Sequence, residues 1–177
     1  RWRVIAGLAL IAGGAPCLAQ SVISVQSGLI HYIEGSVFRN DKPLVMPPGR
    51  FEQMQEQDTL RTASGRAEVL LSPGVFLRAA EDSAFRLLSK DITAGSIEHL
   101  AGSIVLEVAE IDKRNKMTVL HGDVAVALAK SGVYRFDFEP ASLRVFEGEA
   151  VVSAESRRVK VGRGKVYSFD GASALTK

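Results

Sequence analysis

From Ser21 onward, apolar and polar positions alternate with a period of two. Arg66–Leu71 shows this pattern, and Gly74–Ala79 follows after a Ser72-Pro73-Gly74 turn. Ser103–Val108, Lys116–Leu120, Asp123–Leu128 and Val133–Phe138 continue it. Leu143–Phe146, Ala150–Ala154, Arg158–Val161 and Lys165–Phe169 complete the series, which opens at Val22–Val25. Short β-branched and aromatic runs separated by turn residues predict strands. Their rhythm of about 8–12 residues is that of sandwiches, barrels or solenoids. No stretch carries a convincing amphipathic helix; Glu52–Glu56 has room for one turn, too short and too polar to matter to the core.

Several strands open with a glycine and a polar residue: Gly35-Ser36, Gly102-Ser103, Gly122-Asp123 and Gly148-Glu149. Glycine there predicts a positive backbone angle at a tight turn. Uneven spacing argues against a true sequence repeat. Arg39–Arg50, with three prolines and one glycine, is expected to be an exposed loop.

The N-terminus breaks the alternation. Arg1-Trp2-Arg3 precedes an apolar run, Val4–Ala12, and Cys17-Leu18-Ala19 is a small-x-small triplet. That order predicts a secretory signal peptide, residues 1–19, cut after Ala19. The run falls short of the ~20 residues that span a bilayer, though an uncleaved anchor is the alternative. Pro16 directly before Cys17 argues against a lipoprotein. One β domain is expected over 21–172, with 173–177 a flexible tail.

The whole chain has 177 residues and a net charge of +2. Removing residues 1–19 takes Arg1 and Arg3, so that Lys plus Arg equals Asp plus Glu at 20. Cys17 and Trp2, the single cysteine and tryptophan, leave as well, so the mature chain forms no disulfide and has no thiol nucleophile. Neutrality argues against nucleic acid as a partner and against capture by anionic lipid.

Candidate chemistry is sparse. His31, His99 and His121 lack a ligand spacing, and a metal site needs three or four convergent donors. His31 reads as a half-buried structural histidine, and His121-Gly122-Asp123 as a turn. Glu107, Glu110 and Asp112 cluster, but Glu107 and Glu110 fall on opposite strand faces, unsuited to paired acid–base work. There is no G-x-S-x-G elbow and no phosphate loop; Gly162–Lys165 resembles a fragment of one and reads as a hairpin turn. Arg158, Lys160, Arg163 and Lys165 form a basic stripe, read as solvated charges guarding a sheet edge, with a weak docking surface for acidic polymer or lipid headgroups as the alternative. No catalytic, cofactor-binding or metal residues are assigned, and no cofactor or enzymatic activity is expected.

Six elements in order resemble the FecR domain, the periplasmic module of the FecR family. They are Glu34-Gly35-Ser36-Val37, then Asp58–Thr62 with the strand Ser64–Leu71, and Gly74-Val75-Phe76-Leu77-Arg78. Leu100–Leu106, Gly132–Asp137 and Val145–Val152 follow. One departure is Gln57, where the family pattern usually has glycine before the Asp. The resemblance implies an exported β module that binds or senses. Signalling members of the family look like inner-membrane anti-sigma regulators, with a cytoplasmic segment that holds a sigma factor. The resemblance implies fold and compartment more directly than it implies sigma-factor control.

The expected fold is all-β: stacked short strands, solenoid-like or a distorted sandwich. Val69, Leu71, Leu106, Val108, Val126, Leu128, Phe136, Phe138, Val145 and Val151 are expected to face inward. Arg66, Glu68, Arg135 and Asp137 are expected to face outward. The expected role is a non-enzymatic interaction or sensing module whose partner is an envelope protein or polysaccharide, met through strand edges or the Arg39–Arg50 loop. The alternative is a structural envelope protein that self-assembles or contacts polysaccharide. Mass spectrometry of the exported chain should give a mature form starting at Gln20; a form retaining residues 1–19 in the inner-membrane fraction would establish the anchor instead.

Overall fold

A computed structural model describes residues 27–109, 116–154 and 157–169. The signal peptide, Cys17, Glu110, Asp112 and the C-terminal tail lie outside these residues. The described chain is all-β. It opens with β1 (Leu29–Arg39), β2 (Lys42–Pro43), β3 (Glu52–Gln53), β4 (Thr59–Ser72) and β5 (Val75–Ala79). Next come β6 (Ala84–Ser89), β7 (Ala94–Ala101), β8 (Ser103–Val108), β9 (Lys116–His121) and β10 (Val124–Leu128). It ends with β11 (Gly132–Asp137), β12 (Ser142–Glu147), β13 (Glu149–Ala154), β14 (Arg157–Gly162) and β15 (Lys165–Ser168).

All of these strands belong to one sheet, ordered β14-β13-β10-β9-β7-β6-β4-β5-β8-β11-β12-β15, with β1 on β4 and β2 and β3 on β1. Only β7 and β9 pair in parallel. The two ends of the order, β14 and β15, are joined by the turn Arg163-Gly164, so the sheet is barrel-like and nearly closed.

Folding a sheet onto itself requires strands that turn corners. Three such corners are built on glycines. β1 and β4 bend together where Gly35 faces Gly65. A Cβ on either residue would run into the opposite strand's backbone. The single residue Gly102 separates β7 from β8, and Gly148 separates β12 from β13. The four glycines expected at positive φ all adopt it: Gly35, Gly102, Gly122 and Gly148.

Side chains lock these corners. The Tyr134 hydroxyl donates to the Lys130 carbonyl and accepts from the Glu149 N–H at 3.1 Å. It occupies the space that a Cβ on Gly148 would need. Burial pushes the Tyr134 phenol pKa up. At the β7–β8 corner, buried Thr62 accepts the Ser83 N–H at 2.9 Å, and Ser83 Oγ accepts the Ser103 N–H at 2.9 Å. Asp58 accepts the Gln55 N–H and an Asn40 Nδ2–H, fixing the turn into β4. Beside it Gln57 sits at φ 72°, the left-handed conformation that suits the glycine of the FecR pattern.

The core is one contiguous cluster that includes Val69, Leu77, Phe85, Ile97, Leu106, Val126, Tyr134, Phe136 and Val145. Eight of the ten expected inward residues are buried. Phe138 is half-buried at the rim. Val151 faces outward, because β13 pairs with β10 in the register that turns Ala150 and Val152 inward. Arg66, Glu68, Arg135 and Asp137 lie on the outer face as expected. Glu52–Glu56 makes no helical turn: Glu52 and Gln53 pair with the start of β1, and Met54 is fully buried. The core extends through β6 and β7, which supply Phe85, Leu87 and Ile97.

Replacing Gln57 by Gly relieves its left-handed strain of about 1–2 kcal/mol, less about 0.5–1 kcal/mol of chain entropy. The net gain, up to about 1.5 kcal/mol, should raise thermal unfolding by up to about 6 °C. Gly148→Ala should cost about 3 kcal/mol or more, since the new methyl meets the Tyr134 hydroxyl at φ 95°.

Candidate interaction surface

The outer face of β4, β5, β8 and β11 carries interleaved charges. Cross-strand register sets Glu68 beside Arg78, Arg78 beside Val105, and Val105 beside Arg135. A bulge in β1 near His31 brings that ring onto this face. His31 Nε2 lies 2.6 Å from Glu68 Oε1, and Arg78 spans Glu68 at 2.7 Å and Glu107 at 2.5 Å. At one side Glu34 accepts from the Tyr32 hydroxyl and from Arg66, both at 2.6 Å. At the other, Asp137 accepts from the Ser103 hydroxyl at 2.5 Å and from Arg135 Nη2 at 2.8 Å.

Between these clusters lies a groove of about 480 Å³. Tyr32, Arg66, Glu68, Arg78, Ser103 and Arg135 line it, with Val105 and small alanines between them. Burial raises the Glu68 pKa, but hydrogen bonds from Arg78 and His31 outweigh it and hold the carboxyl below its usual range. Asp137 is held down in the same way by Arg135 and Ser103 against the opposing effect of burial. Glu34 is lowered by the Tyr32 hydroxyl and Arg66. These carboxylates stay ionised and engaged at neutral pH, so none is poised as a general acid. The groove offers preset hydrogen-bonding groups for a polar ligand or a protein side chain.

Two sequence candidates join this face. His31 is half-buried, as expected, and is held by Glu68. Glu107 belongs to the Arg78 network. Arg158 and Lys160 point to solvent and alternate with Val159 and Val161 on β14, an end strand paired only with β13. Among the described residues, no three His, Cys, Asp or Glu side chains gather as metal donors.

The fold also joins two histidines that the sequence reading treated separately. His99 ends a run that pairs in parallel with the run ending at His121. Their Nδ1 atoms lie 3.4 Å apart. His99 is 1% exposed and donates from Nε2 to the Ala101 carbonyl at 3.0 Å, which leaves its Nδ1 as the acceptor. His121 stacks on Phe169, and Phe138 packs against both rings. The signal in the sequence is the matched pair Ser96-Ile97-Glu98-His99 and Thr118-Val119-Leu120-His121. Burial, then the neighbouring His121, pushes the His99 pKa down to about 4.

Two solved structures share this fold. Both are crystal structures of a candidate anti-sigma factor from Parabacteroides distasonis ATCC 8503. Each aligns with a TM-score of 0.56 at 12% identity, over 67% of this chain. The match takes in 58% of the length of those chains. No family model and no curated protein matches the chain. At this identity the likeness is one of fold. It assigns no role to the groove.

Acid should destabilise the protein through His99. The unfolded side chain takes up a proton near pH 6.5 and the folded one only near pH 4. Between those values the unfolded state binds more protons, so stability is full above pH 6.5 and falls as pH drops. Denaturant titrations should show about 3 kcal/mol lost across this window, and His99→Phe should flatten that slope.

Proposed function

We propose that the chain is a non-enzymatic, exported interaction and sensing module of the FecR periplasmic kind. In this reading it acts in cell-envelope signalling by holding a protein partner in the outer-face groove. The observation that carries it is where five of the six FecR-like elements lie. Gly35, Thr62, Gly102, Ser103, Tyr134 and Gly148 all build or lock the three sheet corners. Gln57 adopts the backbone angle of the glycine it replaces. The resemblance therefore takes in residues that make the fold together with Arg78 and Arg135 of the groove, and the candidate anti-sigma factor of like fold supports the same class. Export rests on the N-terminal sequence pattern.

Recognition falls to the groove because its side chains are fixed before any partner arrives. Preset charges cost little ordering entropy on binding, and complementary charges select partners. Exposed pairs of this kind contribute little to stability, so groove variants should still fold. A tagged full-length chain expressed in a related host should recover a specific envelope protein. Val105→Arg, which fills the groove, should reduce recovery at least tenfold with little change in thermal unfolding. Equal recovery by both chains would remove the groove from the contact, and no recovery by the wild type would count against the whole reading.

A further inference from the structure

The stretch between β2 and β3 is not absorbed by this function. It runs from Leu44 to Phe51 and forms a strap beside the bent strand β1. Leu44 and Met46 are half-buried against the core and hold it in place. Between them Val45 points outward and is 80% exposed, and Phe51 at the far end is 60% exposed. These are the two most exposed large apolar side chains among the described residues. Pro47 accepts the Arg50 N–H at 3.0 Å, so the Pro-Pro-Gly segment between them is a formed turn.

The strap is also locally basic, which the neutral total conceals. No acidic residue occurs from Lys42 to Phe51. Arg39 lies 3.5 Å from Glu52, and Arg61 lies 3.9 Å from Asp41. Lys42 and Arg50 have no ionic partner among the described residues and are exposed. Two cations therefore flank two projecting apolar side chains. The chain leading from residues 1–26 joins the fold on this same side: the Ser27 carbonyl accepts from Gln53 Nε2, and the Gly28 carbonyl accepts the Met54 N–H at 2.9 Å.

We propose that this strap docks the protein on an anionic membrane surface, with Val45 and Phe51 entering the interface and Lys42 and Arg50 meeting lipid phosphates. Apolar insertion combined with local positive charge is what peripheral binding requires, since either alone is weak. A protein partner is the competing occupant. It is disfavoured because the apolar side chains project from a turn flanked by unmatched cations.

The test uses the full chain carrying Trp2→Phe and Phe51→Trp, so that the only tryptophan reports on the strap. Vesicles of three parts phosphatidylethanolamine to one part phosphatidylglycerol should shift its emission to the blue. Lipids brominated on their acyl chains should quench it. Lys42→Gln and Arg50→Gln should each weaken partitioning about fivefold. A chain with Phe146→Trp in place of Phe51→Trp should show no shift, because β12 stands four strands along the sheet from β4, the strand on which β1 pairs. No shift at position 51 overturns the proposal and leaves the strap to a protein partner. An equal shift at position 146, or insensitivity to both charge variants, overturns it as well.

Discussion

A sheet that curls back on itself needs its corners fixed, and the Tyr134 hydroxyl fixes the one that joins the two ends of the structure. It ties the link between β10 and β11 to the first residue of β13, directly over Gly148. Without it, β12 and β13 would lose the angle that places them at opposite ends of the strand order. Thr62 and Ser83 do equivalent work where β7 becomes β8. These bonds lie inside the protein, where an unmet polar group costs about 1–3 kcal/mol. The corners are thus set by hydrogen-bond geometry, and the apolar core fills the space they define.

Much of this was legible from alternation alone. β8, β9, β11, β12 and β14 alternate apolar with polar residues, β10 alternates large with small, and their inner faces follow from their sequences. Legibility failed where alternation breaks. Ala150-Val151-Val152 has three apolar residues in succession, and only pairing with β10 decides which face is buried. β7 places Gly95 and His99 on its inner face, so its polar composition hid a core strand. Met54 is buried by what packs over it and carries no period of its own. Sequence separation hid the His99–His121 pair and the groove, both of which need a strand register that one sequence does not contain.

Corner and site are interleaved in this molecule. The elements that carry the family resemblance hold the glycines, the threonine and the tyrosine at the bends, and they also supply Arg78 and Arg135 to the groove. The bends set the path of the sheet, and the charges set what its outer face presents to solvent. A fold shared at 12% identity therefore says nothing of what each protein holds.

The placement of β14 and β15 bears on how the molecule is made. The last two strands sit at opposite ends of the strand order, linked by a two-residue turn. A chain delivered from its N-terminus can assemble β1 to β12 early but cannot draw the ring together until β14 and β15 arrive. Until then the edges of β12 and β13 stand open, each a template for strand pairing with another copy. The interval between emergence and closure is when pairing with another copy competes with folding.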